Sequence, residues 1–127
     1  MNKHIEDDIQ SEYFRWCALL KIFAFAIPNG GKRNAREGAR LKKQGTLAGA
    51  SDVFVPSNWD QSSKGLFIEF KSPKGRIEPT QKLFESMVRE RGYVYVVFRD
   101  AYEAINYTLR FLGRPERLQN IQTKEMT

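Results

Sequence analysis

The run YVYVVF at 93–98 limits the fold more than any other stretch, because it is apolar at every position and leaves no polar face for water. A half-buried strand alternates apolar and polar side chains, so this run predicts a strand covered on both faces. Covering a strand twice takes helices above and below a sheet, and the rest of the chain offers them. Ile5, Ile9, Tyr13, Trp16 and Leu20 form a helical stripe over 5–20. KIFAFAI, 21–27, reads as a strand ending at Pro28. Residues 34–43 read as a helix, with Asn34 and Glu37 in capping-box spacing and Gly45 as its stop. Strands follow over 52–56 and 66–71, separated by the turn-rich 57–65. Pro79 suits the first turn of a helix to about Arg91, with Leu83, Phe84, Met87 and Val88 inward. Asp100 and Glu103 open a last helix that turns Ala101, Ala104, Ile105, Thr108, Leu109 and Leu112 inward and ends at Gly113 and Pro115. The expected order is α-β-α-β-β-α-β-α, an α/β (α+β) fold with a mixed central sheet flanked by helices. A chain of 127 residues, 41% hydrophobic, is sized for one domain over 1–127, with a polar tail from about 113.

Several chemistries are excluded by counting. Cys17 is the only cysteine and His4 the only histidine. Intramolecular disulfides and CxxC zinc sites are therefore absent, and Ser-His-Asp catalysis has only His4 to draw on. His4 reads as a surface residue and Cys17 as core. The apolar stretch at 22–27 is too short to span a bilayer, and Glu6, Asp7 and Asp8 are the reverse of a basic leader. The expectation is a soluble intracellular protein with no membrane partner.

The net charge of +6 is unevenly distributed. Lys32, Arg33, Arg36, Arg40, Lys42 and Lys43 face only Glu37 within 32–43, and Lys71, Lys74 and Arg76 form a second cluster. Such clustering suits a polyanion, since each neutralised phosphate releases counterions, although a solvated helix would carry the same charges. The preceding Asn29, Gly30 and Gly31 favour the polyanion, because a Gly-Gly turn lets backbone amides approach a phosphate. Arg36, Arg40 and Lys43 share one helical face.

LFIEFK breaks the apolar pattern with a central glutamate. Phe67, Glu69 and Lys71 alternate onto one face, and Leu66, Ile68 and Phe70 onto the other. A carboxylate there is costly unless paired or bound to a cation. A Glu69–Lys71 ion pair on an exposed face is one reading. Asp52 supplies another, because it opens an apolar strand that a hairpin-like connection can bring beside 66–71. Asp52 and Glu69, with the backbone carbonyl of Phe70, would then make a site for Mg²⁺ or Mn²⁺. Lys71 would position a water or neutralise developing charge.

Asp52 followed by Glu69-Phe70-Lys71 resembles the PD-(D/E)xK nuclease core, and the surrounding sequence resembles its VRR-NUC (virus-type replication-repair nuclease) branch. The resemblance is carried by IPNGGKR (27–33), EGARLKKQGTLAGASDVFV (37–55), GLFIEFKSPKGRIEPTQ (65–81) and GYVYVVFRDAYEAI (92–105), and covers the chain to about 112. E-x-K alone is common. The ordered set, with QG-x-x-x-G-x-x-D before it and P-x-Q after it, is specific. Ser51 stands where the family usually has proline, a position that shapes backbone.

The resemblance implies a restriction-endonuclease-like fold and adds two site positions. Gln81 matches the family glutamine and would orient a water or a phosphate oxygen; by itself it reads as a polar residue of a surface helix. The family also has an acidic residue on the first helix. Glu6 and Glu12 both flank the apolar stripe, so periodicity leaves both open, and the spacing to Gln10 and Trp16 resembles the family pattern for Glu6. Trp59, in the 57–65 loop, reads as a packed loop anchor or as a stacking partner for an unpaired base, with the anchor preferred.

The implied function is a metal-dependent DNA endonuclease of recombination and repair. It would be a homodimer acting on branched DNA such as four-way (Holliday) junctions, in the cytoplasm of a bacterium or a phage-infected host. The alternatives are a non-catalytic nucleic-acid-binding module and a partner-gated subunit of a larger helicase or nuclease assembly.

Overall fold

The stripe of the first segment becomes α1 (Asn2–Leu20) in a computed structural model that describes residues 2–28 and 35–114. Tyr13, Cys17 and Leu20 are buried along it, Ile9 and Trp16 pack beside them, and Ile5 is half exposed near the free end. His4 is exposed, as expected. The helix ends at Lys21 in the left-handed region, φ 56°, with the Ile22 N–H donating to Cys17 O at 2.9 Å.

The expected strand over 21–27 is shorter in the structure. Only β1 (Phe25–Ala26) pairs, because residues 22–24 carry the chain from the end of α1 to the sheet. The next helix is α2 (Ala35–Lys43), followed by β2 (Val53–Pro56), β3 (Gly65–Phe70), α3 (Pro79–Glu90), β4 (Val94–Phe98) and α4 (Ala101–Phe111). The element order is the expected one. The proposed capping residue Asn34 lies outside the described residues, but Gly45 does end α2, at φ +100°.

The sheet order is β1-β2-β3-β4, with β1–β2 and β2–β3 antiparallel and β3–β4 parallel. One face is packed by α1 and α4 around Val53, Val55, Leu66, Ile68 and Phe70. The other is packed by α3 through Phe84 and Val88, with Phe67, Tyr95 and Val97. β4 is therefore covered on both faces: Val94 and Val96 pack toward α1 and α4, and Tyr95 and Val97 toward α3. Its side chains are only partly buried at several positions because β4 is an edge strand, a placement the apolar run does not reveal.

The α3 face is narrower than its sequence pattern suggests. Phe84 and Val88 are buried, but Leu83 and Met87 are exposed. Phe84 and Val88 form the stripe that points down onto the sheet, while Leu83 and Met87 lie to its side, where no described residue buries them. All six expected inward residues of α4 are buried, and Asp100 caps it by accepting from the Glu103 N–H at 3.0 Å.

Candidate active site

Asp52 precedes β2, where the β2–β3 ladder runs out. Its N–H donates to Ile68 O at 3.0 Å, and its carbonyl accepts from Ile27 N–H at 2.7 Å. Its carboxylate then continues the ladder: Oδ2 accepts from the Phe70 N–H at 2.7 Å. Phe70 thus enters the site through its backbone. Alternation does the rest. Ile68 and Phe70 point to the α1–α4 core, which turns Glu69 toward α3 and beside Asp52.

Glu69 is 3% exposed. Its Oε2 accepts from Gln81 Nε2 at 2.9 Å, and its Oε1 is buried with no hydrogen-bond donor among the described residues. The two carboxyls are close enough to share a proton. Burial, and then the Asp52 charge, push the Glu69 carboxyl up to about 9. Burial also raises Asp52, opposed by the Phe70 N–H. A buried carboxylate and a half-buried one beside it cannot both ionise cheaply without a cation.

Lys71 is buried, 7% exposed, and its charge lowers both carboxyls through space. It makes no direct ion pair with Glu69 among the described residues, and the face they share is closed rather than open. The reading of an exposed Glu69–Lys71 pair is therefore corrected: α3 and the turn after β3 cover what sequence alone leaves open.

Gln81 is held from both sides of its amide. Its Oε1 accepts from the Glu78 N–H at 2.8 Å at the start of α3, which leaves Nε2 for Glu69. The approach of α3 to β2 depends on Gly49, whose φ is +84°. A Cβ there would lie 2.3 Å from the Thr80 carbonyl oxygen, so only glycine admits this contact. This is the structural use of the second glycine in QG-x-x-x-G-x-x-D.

The two helix-1 carboxylates separate clearly. Glu6 Oε2 accepts from the Ser72 N–H at 3.4 Å, and its charge raises both Asp52 and Glu69. Glu12 lies 3.9 Å from Arg15 on an exposed face. Glu6 is thus the acidic residue of α1 beside the pair. Among the described residues no three carboxylate, histidine or cysteine side chains form a compact group, so Glu6 stands outside the Asp52–Glu69 pair rather than in a closed cage. Two carboxylates with an orphaned buried oxygen match a hard divalent cation completed by backbone oxygen, water and phosphate.

Arg99 goes unmarked by the charge clusters and by the E-x-K pattern. Its Nη1 donates to Ser72 O at 2.6 Å and Gly75 O at 2.8 Å, fixing the turn that follows Lys71. Its signal is faint: a cation directly after a buried strand. Lys74 and Arg76 are exposed on and beside this turn. Arg36, Arg40 and Lys43 are exposed on α2, and Arg40 lies 3.8 Å from Glu37. Asn29, Gly30, Gly31, Lys32 and Arg33 lie outside the described residues. Trp59 overturns the preferred expectation: it is 97% exposed and anchors nothing. The turn is fastened instead by its polar neighbours, which bond to the end of α4.

A family model described as the VRR-NUC domain matches residues 6–101, a span that includes Glu6, Asp52, Glu69, Lys71 and Gln81. A solved structure named VRR_NUC domain protein shares the fold, with a TM-score of 0.68 and 21% identity over 86% of this chain and 88% of that chain. No curated protein matches.

Proposed function

This chain belongs to the VRR-NUC family, nucleases of the PD-(D/E)xK type, and on that premise we propose that it is a divalent-metal-dependent DNA endonuclease selective for branched DNA. The observation that carries the reading is the pairing of half-buried Asp52 with buried Glu69, whose Oε1 has no hydrogen-bond partner among the described residues. A pair so arranged is repulsive unless a proton or a cation joins it, and it sits beside a buried lysine.

Asp52, Glu69 and the carbonyl of Phe70, with Glu6 at the margin, would hold Mg²⁺ or Mn²⁺. When bound, the cation supplies Lewis-acid polarisation of the scissile phosphate and of a hydrolytic water. Gln81 keeps the Glu69 carboxylate in one orientation through its Nε2 donor. Lys71 puts fixed positive charge where negative charge grows during phosphodiester hydrolysis, in a setting with little water to screen it. Arg99 holds the turn that carries Lys71 to Lys74, so the cation and the flanking basic residues keep a fixed relation.

Arg36, Arg40, Lys43, Lys74 and Arg76 contact phosphates in this reading, and Asn29, Gly30, Gly31, Lys32 and Arg33, outside the described residues, are proposed as further DNA-binding positions. Such contacts position DNA without reading bases, so selectivity falls to DNA shape. Four-way junctions are the leading substrate, cut by a homodimer that offers one site to each of two strands. The exposed Phe23 and Phe25 at the free β1 edge give a second copy apolar surface to cover. No helix among the described residues is long and apolar enough to cross a membrane.

The test incubates pure protein with linear duplex, flap, splayed and four-way DNA, with Mg²⁺, Mn²⁺ or EDTA, alongside sizing in solution. Metal-dependent cutting of the four-way substrate above the linear duplex is expected. Binding without cutting under any metal would favour the non-catalytic or partner-gated alternatives.

A further inference from the structure

The turn joining β2 to β3 is fastened at both shoulders. The Asn58 N–H donates to Gln61 Oε1 at 2.6 Å, and the Gln61 N–H returns to Asn58 O at 3.1 Å. Asn58 Nδ2 donates to Leu112 O at 2.9 Å, and Gln61 Nε2 donates to Phe111 O. These carbonyls close α4 and would otherwise need water. Between the two fastened shoulders stand Trp59 and Asp60. Among the described residues Trp59 is the most exposed large apolar side chain, at 97%.

A tryptophan normally turns its ring onto whatever apolar surface its loop can reach. Here the fastened shoulders hold it away. Its neighbours Asn58, Asp60, Gln61, Ser62, Ser63 and Lys64 are all polar. A protein interface gathers contiguous apolar surface and sheds charge at its centre, which this loop does not do. A nucleobase asks for less: one accessible π face and a cation nearby for phosphate. Lys64 is exposed at the foot of the loop, with Nζ 6.0 Å from the centre of the Tyr93 ring.

We propose that Trp59 is a stacking platform for an unpaired DNA base, presented by a loop that is ordered before DNA arrives. The proposal rests on the nuclease reading above and deepens it by naming how single-stranded character is sensed. The loop lies at the end of the β2–β3 hairpin opposite Asp52 and Glu69. From Asp52 to Pro56 is four strand steps, about 13 Å at the usual rise. The base engaged would therefore belong to a flanking nucleotide, not to the scissile one.

The experiment measures binding in EDTA, where nothing is cut, to a fluorescein-labelled duplex and to the same duplex with a short single-stranded gap. Trp59→Ala is expected to lose on the order of 10-fold in affinity for the gapped DNA and little for the continuous duplex. Trp59→Phe should keep most of the affinity, since the π face remains. In a Trp16→Phe background Trp59 is the one tryptophan left, and gapped DNA should quench its fluorescence more than duplex does. Equal affinity of Trp59→Ala and the parent for gapped DNA overturns the proposal, and so does an equal loss on both DNAs. A change of oligomeric state with DNA affinity kept also overturns it and makes Trp59 a contact between copies. If the parent protein binds none of these DNAs, the nuclease reading fails as well; if it binds both and Trp59→Ala is unchanged, only the stacking role fails.

Discussion

Gln81 Nε2 donates to Glu69 Oε2 at 2.9 Å while Oε1 of the same amide accepts the Glu78 N–H at 2.8 Å. One side chain thus joins the first turn of α3 to the buried carboxylate of β3. Helix capping and site geometry are mechanically linked. Gln81→Ala should lose about 1 kcal/mol of stability with the cap, and should slow metal-dependent cutting because Glu69 is released. Gln81→Glu keeps an acceptor for the Glu78 N–H but sets a further carboxylate against Glu69. It should cut more slowly still and melt lower at pH 8. Thermal melts paired with single-turnover rates check this, and wild-type cutting by Gln81→Ala would refute the link.

Asp52→Asn and Glu69→Gln should each abolish metal-dependent cleavage and leave junction binding within a few-fold of wild type. Each takes one carboxyl out of the pair but keeps its volume. Without metal, Glu69→Gln should be at least as stable as the parent at pH 8, because the folded parent must hold a proton on Glu69 there and the amide need not. Cleavage gels, binding titrations and melts on the same preparations measure all three. Near-normal cutting by either variant would mean that the site is assigned wrongly.

The metal-free protein should lose stability as pH rises. Glu69 ordinarily titrates at 4.5 and is pushed up to about 9 in the fold. Between those values the folded state holds a proton that the unfolded chain has released, so raising the pH favours unfolding. This contribution is fully present below about pH 4.5 and is lost as pH passes through about 9. Melts in EDTA at pH 5, 7 and 9 should fall more steeply for the parent than for Glu69→Gln. Parallel profiles would show that Glu69 does not hold the proton.

Lys71→Ala should slow the chemical step on the order of 10²-fold or more, the usual scale for a positioned charged group in a water-poor site. Its side chain is buried beside the carboxylates, so its charge is poorly screened. Single-turnover rates at saturating enzyme separate chemistry from binding. An unchanged rate would leave Lys71 a purely electrostatic counterweight to the pair.

Neutralising Arg36, Arg40 and Lys43 together should weaken binding to every DNA about equally. Their side chains are exposed on α2, where among the described side chains only Leu41 is half buried. Each lost phosphate contact should reduce the slope of log K against log salt by about 0.9 on duplex DNA. Titrations at several salt concentrations measure the slope. An unaltered slope in a variant of unchanged size would remove this face from the DNA surface.

Much of the architecture is legible in local pattern. The unbroken apolar run 93–98 demanded cover on both faces, the 3.6-residue stripes located α1 and α4, and Pro79, Asp100 and Gly45 marked helix ends. Period-two alternation also put Glu69 and Lys71 on one side of β3, and a glutamate amid Leu66, Ile68 and Phe70 marked that strand as unusual. Local pattern did not show which side would be closed. Leu83 and Met87 stayed exposed and β1 shrank to two residues, because burial and pairing depend on what lies opposite. Periodicity left Glu6 and Glu12 equivalent about the α1 stripe. Only the crossing of α1 over the end of β3 set Glu6 against the Ser72 N–H and left Glu12 with Arg15 in solvent. Arg99 and Trp59 make the same point in opposite directions. Three carbonyls of the 72–75 turn converge on the Arg99 guanidinium from 24 to 27 residues away, while Trp59 is denied a partner by bonds its neighbours make to the end of α4. The chain carries its periodicities and turn residues wherever it goes. Which polar group meets which, and which ring meets nothing, was decided by long-range packing.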